Sequence, residues 1–123
     1  MNIFFLSFDP EKCAQQHCDK HVVKMILETA QLLYTCLWMT FEDDEFIKDA
    51  PLTKSGNNGY KFCHINHPCS IWLRQSIKNY EWLCKLGLEL CKEYTHRYGK
   101  IHTTQKHIEW LTNICPEIEN IGM

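Results

Sequence analysis

The sequence predicts an all-α fold, a small single-domain bundle of two long helices and a shorter third, with residues 2–6 as an extended N-terminal arm. Three observations carry that prediction. Apolar residues recur at helical spacing through two long stretches. Pro10, Pro51, Gly56, Gly59, Pro68, Gly99 and Pro116 stand between or at the ends of those stretches, where they punctuate helices. No run alternates apolar and polar residues as a half-buried strand would. A length of 123 residues, with 45% hydrophobic and 23% charged side chains, suits one domain spanning residues 1–123 with a real core.

The first helix begins at "FDPEK", where Asp9 is placed to cap, Pro10 suits the first helical position and Glu11 complements the dipole. Val22, Ile26, Ala30, Leu33 and Leu37 then mark one face, so the helix runs to about Leu37 or Thr40. A polar connection follows, "DAPLTKSGNNGY", with Pro51, Gly56 and Gly59 and no strand pattern. The second helix starts at "NHPCSIW", with Asn66 or His67 as cap and Pro68 in the first turn. Trp72, Leu83, Leu86, Leu90 and Tyr94 fall on one face; Arg74, Lys78, Glu81, Lys85 and Lys92 fall on the other, and the helix ends near Gly99. A third helix follows "HTTQKHIEWL", capped by Thr103 or Thr104, and stops before Pro116.

Composition narrows the function classes. The start "MNIFFLSFDPEK" has only a short apolar run and no basic residue before it, which argues against a secretory leader or a membrane span. Eight cysteines without such a leader fit a reducing, intracellular setting, and Cys36, Cys84 and Cys91 lie in helical patterns as small buried hydrophobes. The net charge of −2 gives no global attraction to nucleic acid, so such a partner needs a local patch. One runs from Lys92 to His107, with Lys92, Arg97, Lys100, Lys106, His96, His102 and His107 against the single acid Glu93; acids gather elsewhere, as in "EDDE" at 42–45.

Three groups of residues are candidates for chemistry. In "HCDKHVVKMILE", steps of four, three and four bring His17, His21, Lys24 and Glu28 to one side of the first helix, nearly opposite the apolar stripe. That face is either solvated, with Lys24 and Glu28 as a weak pair, or a site in which histidines shuttle protons and a lysine acts as nucleophile. In "CHINHPC", Cys63, His64, His67 and Cys69, together with His17 and His21, are numerous enough for a zinc site bridging two segments. Their spacing matches none of the usual zinc patterns, and the other reading is that His67 caps a helix while Cys63 and Cys69 pack. Finally, Ser76 and Asn79 interrupt the apolar face of the second helix. Asn79 then needs a partner on the first helix or lines a cleft, and Trp72 beside it either stacks on a base or fills the core.

The blocks "CAQQHCDKHVVKMILETAQLL", "NHPCSIWLRQSIKNYEWL" and "EYTHRYGKIH" resemble small phage and viral proteins related to the pyrimidine-dimer DNA glycosylases, over about residues 1–110. The resemblance implies a helical protein that binds damaged duplex DNA, with Arg97, Lys100, His102, Lys106, His67, Trp72 and Asn79 as candidate DNA contacts. It implies base excision through an imine between an amine and the sugar C1′, no cofactor (zinc being the alternative), and a place in the cytoplasm or nucleus of a host cell. The family's amine is the N-terminal one, and its first-helix histidine matches His17. This sequence departs from the family in three ways. Asn2 follows the initiator Met, which would leave Met1 in place; no acid stands at or beside Lys24, where the family's glutamate aligns; and an aromatic, basic tail that follows in the family is not matched at "ENIGM". Lys24 as amine and Glu28 or Asp19 as carboxylate are the nearest substitutes. Two other classes stay open: a metal-dependent or zinc-stabilised protein, and a non-catalytic viral factor that binds nucleic acid or a host protein.

Overall fold

The computed structural model describes residues 10–16, 19–41, 44–114 and 116. Among these the protein is all-α: α1 (Pro10–Gln16), α2 (Asp19–Thr40), a 3₁₀ turn (Glu45–Asp49), α3 (Pro68–Arg74), α4 (Ile77–Tyr98) and α5 (Gln105–Thr112). The N-terminal arm, Asp9 and His17 lie outside the described residues. The helix α2 packs on α3, α4 and α5, while α1 crosses α4. Ile26, Ala30, Leu33 and Leu37 of α2 and Leu83, Leu86 and Leu90 of α4 are all fully buried. The residues His21–Thr40 are long and apolar enough by composition to cross a bilayer, and here that apolar surface forms the core of the bundle.

The expected first helix is described as two stretches, α1 and α2, both packed on α4, with residues 17 and 18 outside the described residues. Cys13 and Val22 are both fully buried. The expected second helix is divided, and the division has a cap as its cause. Ser76 is extended (φ −160°, ψ 144°), and its hydroxyl accepts the Asn79 N–H. The Asn79 amide in turn donates to the Trp72 carbonyl at 2.7 Å, filling one of the acceptors left over where α3 ends. The expected partner of Asn79 on the first helix is therefore corrected to the last turn of α3.

Local chemistry accounts for the remaining boundaries. The His67 ring caps α3, its Nδ1 accepting from the Cys69 N–H at 3.1 Å, and Pro68 follows in the first helical position. Gly99 closes α4 in the left-handed region (φ 69°), as the sequence predicts. Thr104 precedes α5, but no side-chain cap bond forms there; the His102 ring accepts the Thr104 N–H instead, at 3.0 Å. Where α2, α4 and α5 meet, a Cβ on Gly87 would stand 3.0 Å from Ile108 and 3.2 Å from Thr29, so a side chain there presses on both neighbours.

Cys36, Cys84 and Cys91 are buried as expected, and burial pushes each thiol up to about 12. The connection between α2 and α3 holds more structure than a polar linker. Residues 51–59 form a narrow hairpin around a single bridge between Leu52 and Asn58. Past it, Trp38 Nε1 donates to the Tyr60 carbonyl at 2.9 Å and the Arg74 guanidinium holds the Ile65 carbonyl at 2.9 Å.

Candidate nucleic-acid interface

The outer face of α2 carries the first candidate group. Lys24 is exposed and its ammonium stands 3.9 Å from the Glu28 carboxylate, whose side chain is only 18% exposed. His21 is half-buried one turn earlier, and His17 lies outside the described residues. The apolar Val23 and Leu27 share this surface, 38% and 36% exposed. An ion pair of this kind contributes little to stability when one partner stands in water.

Two histidines from the far end of the chain pack along the neighbouring edge of α2. His102 faces the main-chain carbonyl of Val23; burial lowers its pKa, the Val23 carbonyl opposes that shift, and the Lys54 charge adds to it. The same ring lies edge-on to Tyr94 at 4.8 Å. His107 is 1% exposed, and its Nδ1 meets the Tyr34 hydroxyl at 2.7 Å. With Nδ1 taken, Nε2 is the nitrogen left to donate toward the Leu52 carbonyl, which the ring also faces. That arrangement requires a neutral ring accepting from Tyr34. Burial first, then the Lys106 charge, lower the His107 pKa to about 4, so His107 leaves the basic patch in which the sequence placed it.

Val23, Leu27 and Tyr34 stand four and seven residues apart, on one edge of α2. The contacts to Val23 and Tyr34 therefore lay the chain from His102 to His107 along that edge. The 51–59 hairpin lies beside it, through Leu52 at His107 and Lys54 at His102. The exposed cations Lys54, Lys100 and Lys106 have no ion-pair partner among the described residues. Arg97, at the end of α4, is held by Glu93 at 3.1 Å and by the Gln15 carbonyl at 3.1 Å. Its guanidinium thus tethers α1 to α4 beside this surface.

The candidate residues thus separate into two sets. His21, Lys24 and Glu28 lie on the first turns of α2, His102 faces the Val23 carbonyl there, and Arg97 reaches the Gln15 carbonyl of α1, while Lys100 and Lys106 are exposed on the segment that carries His102 and His107. His67, Trp72 and Asn79 belong to the α3–α4 junction; Asn79 lies about 27 Å from Arg97 along α4. There His67 caps, Asn79 ties the two helices, and the half-buried Trp72 packs edge-on to Trp82 at 6.3 Å. Around "CHINHPC", Thr35 Oγ1 grips both the N–H and the carbonyl of Cys63. Among the described residues no three His, Cys, Asp or Glu side chains converge as metal ligands; Cys63, His64, His67 and Cys69 follow one another along a loop and a helix start.

Sequence reading missed Lys54, Leu52, Val23 and Leu27 as members of this surface. The signal for the first two was present in "LTKSGNNG", where an apolar residue precedes a Ser-Gly-Asn turn. Contact with His102 and His107, about fifty residues on, had no local trace.

The family model described as pyrimidine dimer DNA glycosylase matches residues 1–107. No curated protein and no solved structure matches the chain. The match covers most of the chain, and the protein belongs to the pyrimidine dimer DNA glycosylase family.

Proposed function

We propose that this member of the pyrimidine dimer DNA glycosylase family binds duplex DNA through the surface around the first turns of α2 and excises a damaged pyrimidine there. The observation that carries the reading is the Lys24–Glu28 pair on α2, with Lys24, Val23 and Leu27 exposed on the same turns and His102 lying between the Val23 carbonyl and Lys54. Cations without acid partners suit phosphates, and exposed apolar side chains suit a base drawn from its stack.

The chemistry follows from an amine beside a carboxylate. The nitrogen lone pair attacks C1′ of the sugar, the bond from C1′ to the base breaks, and the base departs with a proton. The sugar ring opens to an imine on C1′; removal of a proton from C2′ then expels the 3′ phosphate by β-elimination. Lys24 and the N-terminal amine are the two candidates for the nitrogen, and Glu28 stands where it can take and return protons for Lys24.

A second reading has its own observation. The devices that activate a lysine are an apolar pocket or a neighbouring cation. Lys24 has neither, being 73% exposed with an acid as its neighbour. On that reading the protein binds DNA without cutting it.

Borohydride separates these readings, because it reduces an imine to a stable secondary amine. Wild type, Lys24→Ala and an N-terminally blocked form are incubated with duplex DNA bearing a thymine dimer or an abasic site. An adduct lost in one variant identifies the amine. No adduct from any form, with DNA binding intact, leaves the non-catalytic reading.

A further inference from the structure

The hairpin of residues 51–59 is built more firmly than a linker needs to be. Thr53 N–H donates to the Asn57 carbonyl at 2.8 Å, Gly56 N–H to Thr53 at 3.0 Å and Gly59 N–H to Pro51 at 2.9 Å. The Asn58 amide fixes the Ala50 carbonyl at 2.7 Å. At the tip the Thr53 and Ser55 hydroxyls meet at 2.9 Å, and the Asn57 amide donates to Ser55 at 3.3 Å. Gly56 adopts φ +86° with nothing within 4 Å of where its Cβ would be.

The root of the hairpin is fixed to the bundle as well. Gly59 lies so close to Tyr34 and Ile47 that a Cβ would stand 2.7 Å from each, and the Leu52 carbonyl faces the buried His107 ring. From that root the tip projects with Lys54, Ser55, Gly56, Asn57 and Asn58 all exposed. Residues 50–80 contain no Asp or Glu. A rigid, acid-free projection with one lysine, small hydrogen-bonding side chains and an open glycine presents nothing bulky to a polyanion and a single charge to bind it.

We propose that the 51–59 hairpin is a second strand-contacting element, in which Lys54 binds a backbone phosphate while the first turns of α2 and the residues 100–106 engage the duplex beside it. The inference rests on the DNA reading given above and adds to it an element and a residue. His102 lies between the Val23 carbonyl of α2 and Lys54 of the hairpin, so a strand held by Lys54 runs toward the first turns of α2. Phosphate contacts of this type set register and orientation and carry no sequence information.

The test is the salt dependence of binding to a short duplex by wild type, Lys54→Ala, Lys54→Glu and the control Lys48→Ala. Lys48 is exposed and pairs with Glu45 at 2.9 Å, outside the proposed surface. Loss of one phosphate contact lowers the slope of log K against log salt by about 0.9. The expected result is that decrement in Lys54→Ala with several-fold weaker binding, a larger loss in Lys54→Glu, and Lys48→Ala equal to wild type. Salt-dependent wild-type binding with both Lys54 variants unchanged overturns the hairpin's role and leaves the DNA reading standing. A wild type that binds no duplex at any salt overturns both.

Discussion

His107 makes stability depend on pH in a window that can be calculated. In the unfolded chain its pKa is the ordinary 6.5, and in the folded protein it is about 4. Above 6.5 the ring is neutral in both states and the fold keeps its full stability. As pH falls, the unfolded chain takes up the proton first, and the loss stops only below the folded value. Each unit of that shift is about 1.4 kcal/mol, so this one group costs roughly 2 kcal/mol by about pH 5 and about 3 kcal/mol below pH 4. The substitution that isolates it is His107→Asn, which keeps an acceptor near the Tyr34 hydroxyl and removes the titration. Urea unfolding of both proteins across this range is the assay. His107→Asn is less stable than wild type at neutral pH, and the gap narrows by those amounts as acid is added; carboxylate titrations common to both cancel. A gap that stays constant from pH 7 to 4.5 would refute a neutral, buried His107 accepting from Tyr34.

Other consequences of the packing are open to direct measurement. Gly87→Val forces side-chain atoms into Ile108 and Thr29 and lowers stability by about 1–3 kcal/mol in urea unfolding. Ser76→Ala removes the cap of α4 and costs about 1 kcal/mol by the same method, whereas Ser76→Asp retains it. Cys36, Cys84 and Cys91 resist alkylation by iodoacetamide at about pH 8 in the native protein and react once urea unfolds it, as peptide mapping will register.

What the sequence revealed and what it hid follow from the range of the interactions. The stripe of Ile26, Ala30, Leu33 and Leu37 and that of Leu83, Leu86 and Leu90 are periodic over three or more turns, and both proved to be core. Pro68 and Gly99 act within one turn of their own position, and each stands where it was expected. The break between α3 and α4 was hidden because periodicity continues through a break when the next segment happens to keep phase. At Ser76 the clue was read as a flaw in an apolar face; the Ser-x-x-Asn spacing was the cap itself. His107 looked like part of a basic run because charge is counted along the chain, whereas its protonation is decided first by burial, in a packing against Tyr34 far away in sequence. The approach of Lys54 to His102 and of His102 to the Val23 carbonyl is likewise tertiary, made by contacts that no local pattern encodes.

The orientation of the Lys24–Glu28 pair offers a way to separate function from stability. Along a helix Glu preceding Lys by four residues is better than the reverse. The protein has the pair in the less favourable order, 3.9 Å apart. Exchanging them, Lys24→Glu with Glu28→Lys, keeps composition and net charge and improves that order, for a gain of about 0.2–0.5 kcal/mol. If the pair is part of the DNA site, the exchanged protein is at least as stable in urea yet loses the borohydride adduct or several-fold of its duplex affinity. If it is an ordinary solvated pair, the exchange raises stability and changes neither adduct nor affinity, and the weight of the proposal moves from Lys24 to the N-terminal amine and the lysines of the hairpin and the 100–106 segment.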